Sequence, residues 1–493
     1  MRVAFDPQLR FDCPPVLDVR LNTACRDEII PILRALQHIY GRPELRDQLL
    51  DAVARDVNGT CSADHGRPGM QYWSILVLGA VRLGCDLNYD RLQNLAEEHR
   101  SLRLIMGIGG WCDDQKFDWR CLRDNICLLS PETIERLNHL IVAEGHRLVP
   151  EAAETVRGDS FVVATDIHYP TDSGLIGDGL HTIVPTAKRL AGLLGKSGWR
   201  QHQHLLRTVR KQLRAINKIA AGKGRDFRKR LRDAYRTLFD TADRILARAT
   251  ELLDPALIPI GPGPAATTIE RLRTKLIDFL NMTIHACDQA RRRVLAEESV
   301  ANDEKLFSLF EPQTQLIKRG KVPQPVEFGH RVLVVEDGAG FVCHYAVLPR
   351  GAEDREVVVE EMRQVQQRLH GRIRSASFDR GFHSPENQRE LAKLVAQPCL
   401  PVTGPVQARR QEREATVEFR RARRRHAGVE SAIGALQSGN GLDRCRDHTF
   451  GGYCRYVGLG ILGRNLHVLG KLLIAREDPK CVAGQSRRGR DAA

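Results

Sequence analysis

Two blocks of strand-like sequence, held apart by a helical stretch from residue 186 to 328, constrain this chain more than any other feature. The first block, VRGDSFVVAT at residues 156 to 165, is β-rich and alternating, and IHYPTDSGLIGDG behind it reads as a turn-rich loop with Pro170, Gly174 and Gly177. In the second block RVLVVEDG and GFVCHYAVLP are two strands around a tight Asp-Gly-Ala-Gly turn. EDREVVVEEMRQVQQRLHG then predicts a helix, RIRSASFD a strand, SPENQRELAKLV a helix and AQPCLPVTG a last strand, before a closing helix around Glu430. Such β–α alternation implies a mixed sheet with flanking helices, interrupted after its first strand by an α-helical insert.

Residues 27 to 150 carry a helical period instead. RDEIIPILRALQHIY places Ile29, Ile32, Leu33 and Leu36 on one face, and after the turn DHGRPGM come helical patterns in QYWSILVLGAVRLGC, LNYDRLQNLAEEH and WCDDQKFDWRCLRDNI. Short helices with polar turns and frequent Arg suit a helix-turn-helix module, and equally a bundle that supports its neighbour. The expected division is a helical amino-terminal DNA-binding domain at 1–150, the first part of an α/β core at 151–185, the insert at 186–328, the remainder of the core at 329–475, and a disordered basic tail at 476–493. The order of elements in the core is that of a ribonuclease H-like fold.

The insert holds the charge. Residues 187 to 250 contain 18 Lys or Arg against 4 Asp, an excess equal to the formal +14 of the whole chain. Leucine and isoleucine keep helical spacing beneath those charges, so the stretch predicts a folded amphipathic helix pair. A face of one sign at this density suits phosphates, and Arg228, Lys229, Arg230 and Arg232 are its densest run.

Composition excludes several classes. Hydrophobic content of 42% with 28% charged residues describes a folded chain. A pI near 9.3 favours a polyanionic partner over an acidic small substrate. Thirteen cysteines fall singly with no C-x-x-C pair, which predicts reduced thiols in a reducing compartment. YVGLGILGRNLHVLGKLLI is broken by Arg464, Asn465, His467 and Lys471, so no membrane span is expected, and the start MRVAFDPQLRFDCPP lacks a signal-peptide core. The expected location is cytoplasmic, with nucleoid association when the protein is on DNA.

Carboxylates that end strands and line a helix face are what holds divalent cations against a phosphodiester. Asp379 ends IRSASFD and is followed by Arg380-Gly381, a position where α/β sheets place ligands. Glu430 lies in RRRHAGVESAIGALQ, where His426, Glu430 and Gln437 at i, i+4 and i+11 share one face of a continuous helix. The first strand offers Asp159, which shares a face with Phe161 and Val163, and Asp166 on the opposite face; periodicity does not settle between them.

At these residues the chain resembles the DDE transposases of bacterial insertion sequences. GRPGM, LNYDRLQNLAEE and LRLIMGIG resemble the region those enzymes place ahead of the catalytic core; SFVVATDIHYPTDSGLIGDG resembles the segment around their first catalytic Asp. FEPQTQLIKRGKVPQPVEFGHRVLV, FDRGFHSPEN and HAGVESAIGALQSGNGLDRCR resemble the runs entering the second strand, around the second Asp and around the glutamate. The resemblance maps the first acid onto Asp159-Ser160, making Asp159, Asp379 and Glu430 the catalytic and metal-ligating triad. Arg423, His426 and Gln437 stand where related branches carry Tyr, Arg and Lys.

The resemblance implies two Mg²⁺ ions, replaceable by Mn²⁺, that activate water and then the DNA 3′-hydroxyl without a covalent protein–DNA intermediate. Double-stranded DNA, as terminal inverted repeats and target, is the implied partner, with a homodimer on DNA. Arg380, His426, His383 and His168 are expected phosphate or base contacts. Two further readings use the same residues: a transposase-derived DNA-binding regulator without catalysis, and a metal-dependent nuclease that cuts without joining.

Overall fold

A computed structural model of the chain describes residues 2–5, 11–59, 69–110, 114–222, 226–257, 264–318, 326–402 and 412–477. It contains two compact units, Met1–Asp166 with His330–Ala493, and Ile167–Gly329. Of the tail expected at 476–493, residues 476 and 477 end the last helix and residues 478–493 lie outside the described residues, as do parts of the GRPGM, WCDD, LIPIGPGPAATT and KRGKVPQPV segments.

Among the described residues the first unit opens with the α-helices α1 (Ile29–Tyr40), α2 (Pro43–Asn58), α3 (Tyr72–Gly84), α4 (Tyr89–Glu98), α5 (Arg100–Ile105), α6 (Trp119–Ile126) and α7 (Pro131–Leu148). Local signals set their starts: Asn88 and Ser130 accept from the N–H three residues on, and Pro131 fills the first helical position of α7. The predicted face of α1 is buried as a set, Ile29, Ile32, Leu33 and Leu36.

These helices do not stand as a domain of their own ending at 150. Their apolar faces belong to the same core as the sheet, because the carboxy-terminal helix runs through both. That helix, Phe450–Glu477, packs on α1, α3 and α7. Gly463 meets Gly84 of α3 so closely that a Cβ would lie 2.5 Å from the Gly84 Cα. At 28 residues it is long and apolar enough to cross a membrane, contrary to the expectation that its polar residues interrupt it too often. Yet 72% of its apolar window is buried in the protein. Asn465, wholly buried, donates to the Val342 carbonyl and to Asn138 Oδ1 and accepts from the Val342 N–H. A polar residue satisfied this way marks a core helix.

The strands are β1 (Thr155–Thr165), β2 (Gln315–Lys318), β3 (Val326–Asp337), β4 (Val342–Val347), β5 (Ser375–Phe378), β6 (Gln397–Cys399) and β7 (Arg444–Cys445). In the first unit the order is β4-β3-β1-β5-β6, with β3 and β4 antiparallel and β1, β5 and β6 parallel. β7 extends alongside the far end of β1. This is a mixed sheet, as the alternation predicts; the short β2 and β7 carry too few residues to announce themselves by periodicity.

The second unit contains α8 (Asp172–Leu193), α9 (His202–Ala220), α10 (Phe227–Thr250) and α11 (Pro264–Val294) around one apolar core, with β2 paired to the first residues of β3. It begins at Ile167, where the sequence pattern kept residues to 185 with the first strand. The supposed loop after β1 is the 22-residue α8. Its glycines are not turn residues: a Cβ at Gly177 would meet Leu213 at 2.5 Å and one at Gly179 would meet Thr283 at 2.0 Å. Thr171 caps it, accepting from the Gly174 N–H at 3.0 Å. In the first unit the chain continues through α12 (Asp354–Arg368), α13 (Pro385–Leu394), α14 (Val417–His426) and α15 (Gly428–Gly439), and the carboxy-terminal helix is α16.

Candidate active site

Two strands and one helix junction carry the candidate residues. β1 and β5 run parallel in the register Thr155↔Ser375, Val156↔Ala376, Arg157↔Ser377, Gly158↔Phe378. One residue further stand Asp159 and Asp379, the latter capping the short turn after β5. Asp159 also accepts from the Ser160 N–H at 2.7 Å. Asp166 sits seven residues along β1, about 23 Å away at strand rise, in an exposed ion pair with Arg444 at 3.4 Å. Asp172 is held by Arg293 at 2.8 Å within the helical unit. The register of β1 and β5 ends one residue before Asp159 and Asp379, while Asp166 and Asp172 have ion-pair partners elsewhere.

The predicted helix around Glu430 is two helices. α14 ends at His426 and α15 starts at Gly428, so His426 and Glu430 do not share a face by uninterrupted helical spacing. They are neighbours even so. The His426 imidazole is half-buried and bonds the Ser377 backbone beside Asp379. Burial lowers its pKa, while the nearby Asp379 and Glu430 carboxylates pull it upward. Glu430 lies exposed in the first turn of α15, which packs on β1.

Arg157 organises the junction, and sequence reasoning passed over it. It precedes Asp159 by two residues and so shares its face. Its Nε donates to Glu336 of β3 at 2.6 Å and its Nη1 to the Arg425 carbonyl at 2.9 Å. Gly428 leaves room for it: a Cβ there would come 2.1 Å from Arg157 Nη1. Strand alternation was the available signal for Arg157, but Glu336 lies too far along the chain to suggest itself. Behind this, the buried pair His146–Asp337 closes at 2.7 Å.

Of the proposed DNA contacts, Arg380 is exposed next to Asp379, and Arg228, Lys229 and Arg230 are exposed in the first turn of α10. Arg232 instead pairs with Glu297. A cavity of about 470 Å³ opens at the start of β1 and β5, lined by Arg157, Ser375, Ser377 and Arg425. None of the three acids lines it. Asp379 and Glu430 stand on open surface, which suits a long polymer better than an enclosed small molecule.

Residues 300–452 match the family model described as Transposase DDE domain. That span, under a third of the chain, is similar to a transposase DDE domain. No curated protein and no solved structure matches it. The matched span of the DDE domain contains Asp379 and Glu430, while Asp159 lies ahead of it. DDE transposases bind DNA and use divalent metal ions. Among the described residues no three His, Cys, Asp or Glu side chains are grouped to hold a metal. The donor chemistry of Asp159 and Asp379 still fits Mg²⁺, which is held by one or two carboxylates with substrate phosphates completing its shell.

Proposed function

We propose that this protein is the DNA transposase of a bacterial insertion sequence, with a ribonuclease H-like catalytic core whose triad is Asp159, Asp379 and Glu430. The observation that carries this is the parallel register of β1 and β5, which ends one residue before Asp159 and Asp379, with His426 feeling both Asp379 and Glu430. A central sheet ordered β4-β3-β1-β5-β6 and split after β1 by the helical unit supports the core assignment.

Divalent metal bound by these acids supplies Lewis-acid activation of the attacking oxygen and stabilisation of the leaving one. The chain's own residues do the positioning. Asp159 and Asp379 present carboxylate oxygens on one face, and Arg157 fixes the α14–α15 junction from which Glu430 reaches that face. Arg380 supplies a cation for the scissile phosphate. Water attack frees the 3′ end of the element, and that 3′-hydroxyl then attacks target DNA. The amino-terminal helices read the terminal repeats, and a homodimer holds two ends together.

The test is cleavage and joining of a labelled element end in Mg²⁺ by wild type, Asp159→Asn and Asp166→Asn. Wild type and Asp166→Asn should form products and Asp159→Asn none. Activity in Asp159→Asn with loss in Asp166→Asn would overturn the assignment.

A further inference from the structure

The chain has no Asp or Glu between Asp178 and Asp226, a span that includes all of α9. Within α9, Arg207, Lys211, Arg214 and Lys218 recur at spacings of four, three and four, so they form one stripe along the helix. All four are exposed, and the buried Val209 and Ile216 fall on the opposite side, in the core of the helical unit. The apolar face thus fixes the rotation of α9 and commits the stripe to solvent.

Five other cations of this unit are compensated. Arg232 pairs with Glu297, Arg236 with Asp233, Arg291 with Asp243, Arg292 with Glu298 and Glu304, and Arg293 with Asp172. Among the described residues none of the four stripe cations pairs with an acid. Like charges at i,i+4 and i,i+3 repel by a few tenths of a kcal/mol each, so an uncompensated row destabilises the helix that carries it. Folding of the unit gains nothing from them.

Resting on the transposase reading, we propose that the α9 stripe is the surface on which this unit docks double-stranded DNA, through phosphates of one strand, in preference to the run at Arg228–Arg232. The stripe spans about 16 Å at helical rise, long enough to lie along the phosphates of several consecutive nucleotides. Rigid, evenly spaced cations fit a regular duplex backbone and read no base sequence. DNA held here is positioned, not recognised.

The test uses the full-length protein and a duplex of random sequence, with affinity measured across a salt series. Each phosphate contact contributes about 0.9 to the log–log slope, so Arg207→Gln, Lys211→Gln, Arg214→Gln and Lys218→Gln together should flatten it by up to about 3.6. Arg228→Gln, Lys229→Gln and Arg230→Gln together should flatten it by less than about 1. Arg207→Lys with Arg214→Lys keeps the charge and should keep the slope. Wild-type protein should also show Lys211 and Lys218 shielded from acetylation once DNA is added, a readout that needs no variant. An unchanged slope in the α9 variant, or acetylation undiminished by DNA, overturns the surface while leaving the triad reading in place. Tighter binding of single-stranded RNA than of duplex through the same residues overturns the choice of partner. A wild type that binds no duplex overturns the transposase reading as well.

Discussion

Asp379 stands one residue past Phe378, and Phe378 is the register partner of Gly158, the residue before Asp159 on the adjacent parallel strand. Two carboxylates placed this way act on one phosphodiester as a unit. Removing either charge should then remove most of what both supply. Asp159→Asn and Asp379→Asn should each lower the end-cleavage rate by about 10³ or more, and the double variant should fall less than about tenfold further. Single-turnover cleavage of the three variants measures this; losses that multiply would show the acids working independently.

Arg157 is the main charge partner of a buried acid. Its loss leaves Glu336, whose side chain is 2% exposed, with Arg464 at 3.8 Å as its remaining ion-pair partner among the described residues. Arg157→Ala should destabilise the protein by about 3 kcal/mol, as breaking a buried pair does. Changing Glu336 to Gln in that background should recover a large part, since no buried charge then remains uncompensated. Urea unfolding of the three variants decides it, and a loss below about 0.5 kcal/mol for Arg157→Ala would remove the anchor from the account.

Glycines on α16 and α15 should respond oppositely to alanine. A Cβ at Gly470 would lie 1.7 Å from the Pro31 carbonyl oxygen, and backbone cannot swing aside. Gly470→Ala should cost on the order of 2–3 kcal/mol. Gly434 is exposed within α15 and nothing lies within 4 Å of its Cβ position. Gly434→Ala should gain about 0.5–1 kcal/mol from lost unfolded-state freedom. Equal urea midpoints for the two variants would contradict the packing of α16 on α1.

Stability should fall on mild acidification. Burial pushes His330 and His467 down to about 4, with Arg350 adding to the first and Lys471 and Arg464 to the second. In the unfolded chain both titrate near 6.5. Between about 4 and 6.5 the unfolded state therefore binds more protons, so stability is fully present above 6.5 and is lost as pH falls through that window. The urea midpoint should be lower at pH 5 than at pH 7. His330→Gln with His467→Gln should narrow that difference, and an unchanged difference would contradict the assignment.

What was legible in the sequence follows the range of each interaction. Asp379 stands out because a β-rich run ends in Asp-Arg-Gly, and the α1 face because four apolar residues repeat at helical spacing. The mixed sheet was readable from the β–α order, and the resemblance favoured Asp159 where alternation alone left Asp166 open. Tertiary facts were not readable. Gly177 and Gly179 look like turn residues until Leu213 and Thr283 are seen against them. The amino-terminal helices look separate until α16 is found in their core. The break at Ala427 hides within an unbroken helical pattern, because what places it is Arg157 filling the space beside Gly428.

The most direct test of the central claim is strand transfer of a labelled element end in Mg²⁺ by wild type and Asp379→Asn. The change is nearly isosteric and removes only the charge that would hold the metal. The account predicts joined products from wild type and, from the variant, DNA binding with neither cleavage nor joining. Joined products from Asp379→Asn at the wild-type rate would contradict it.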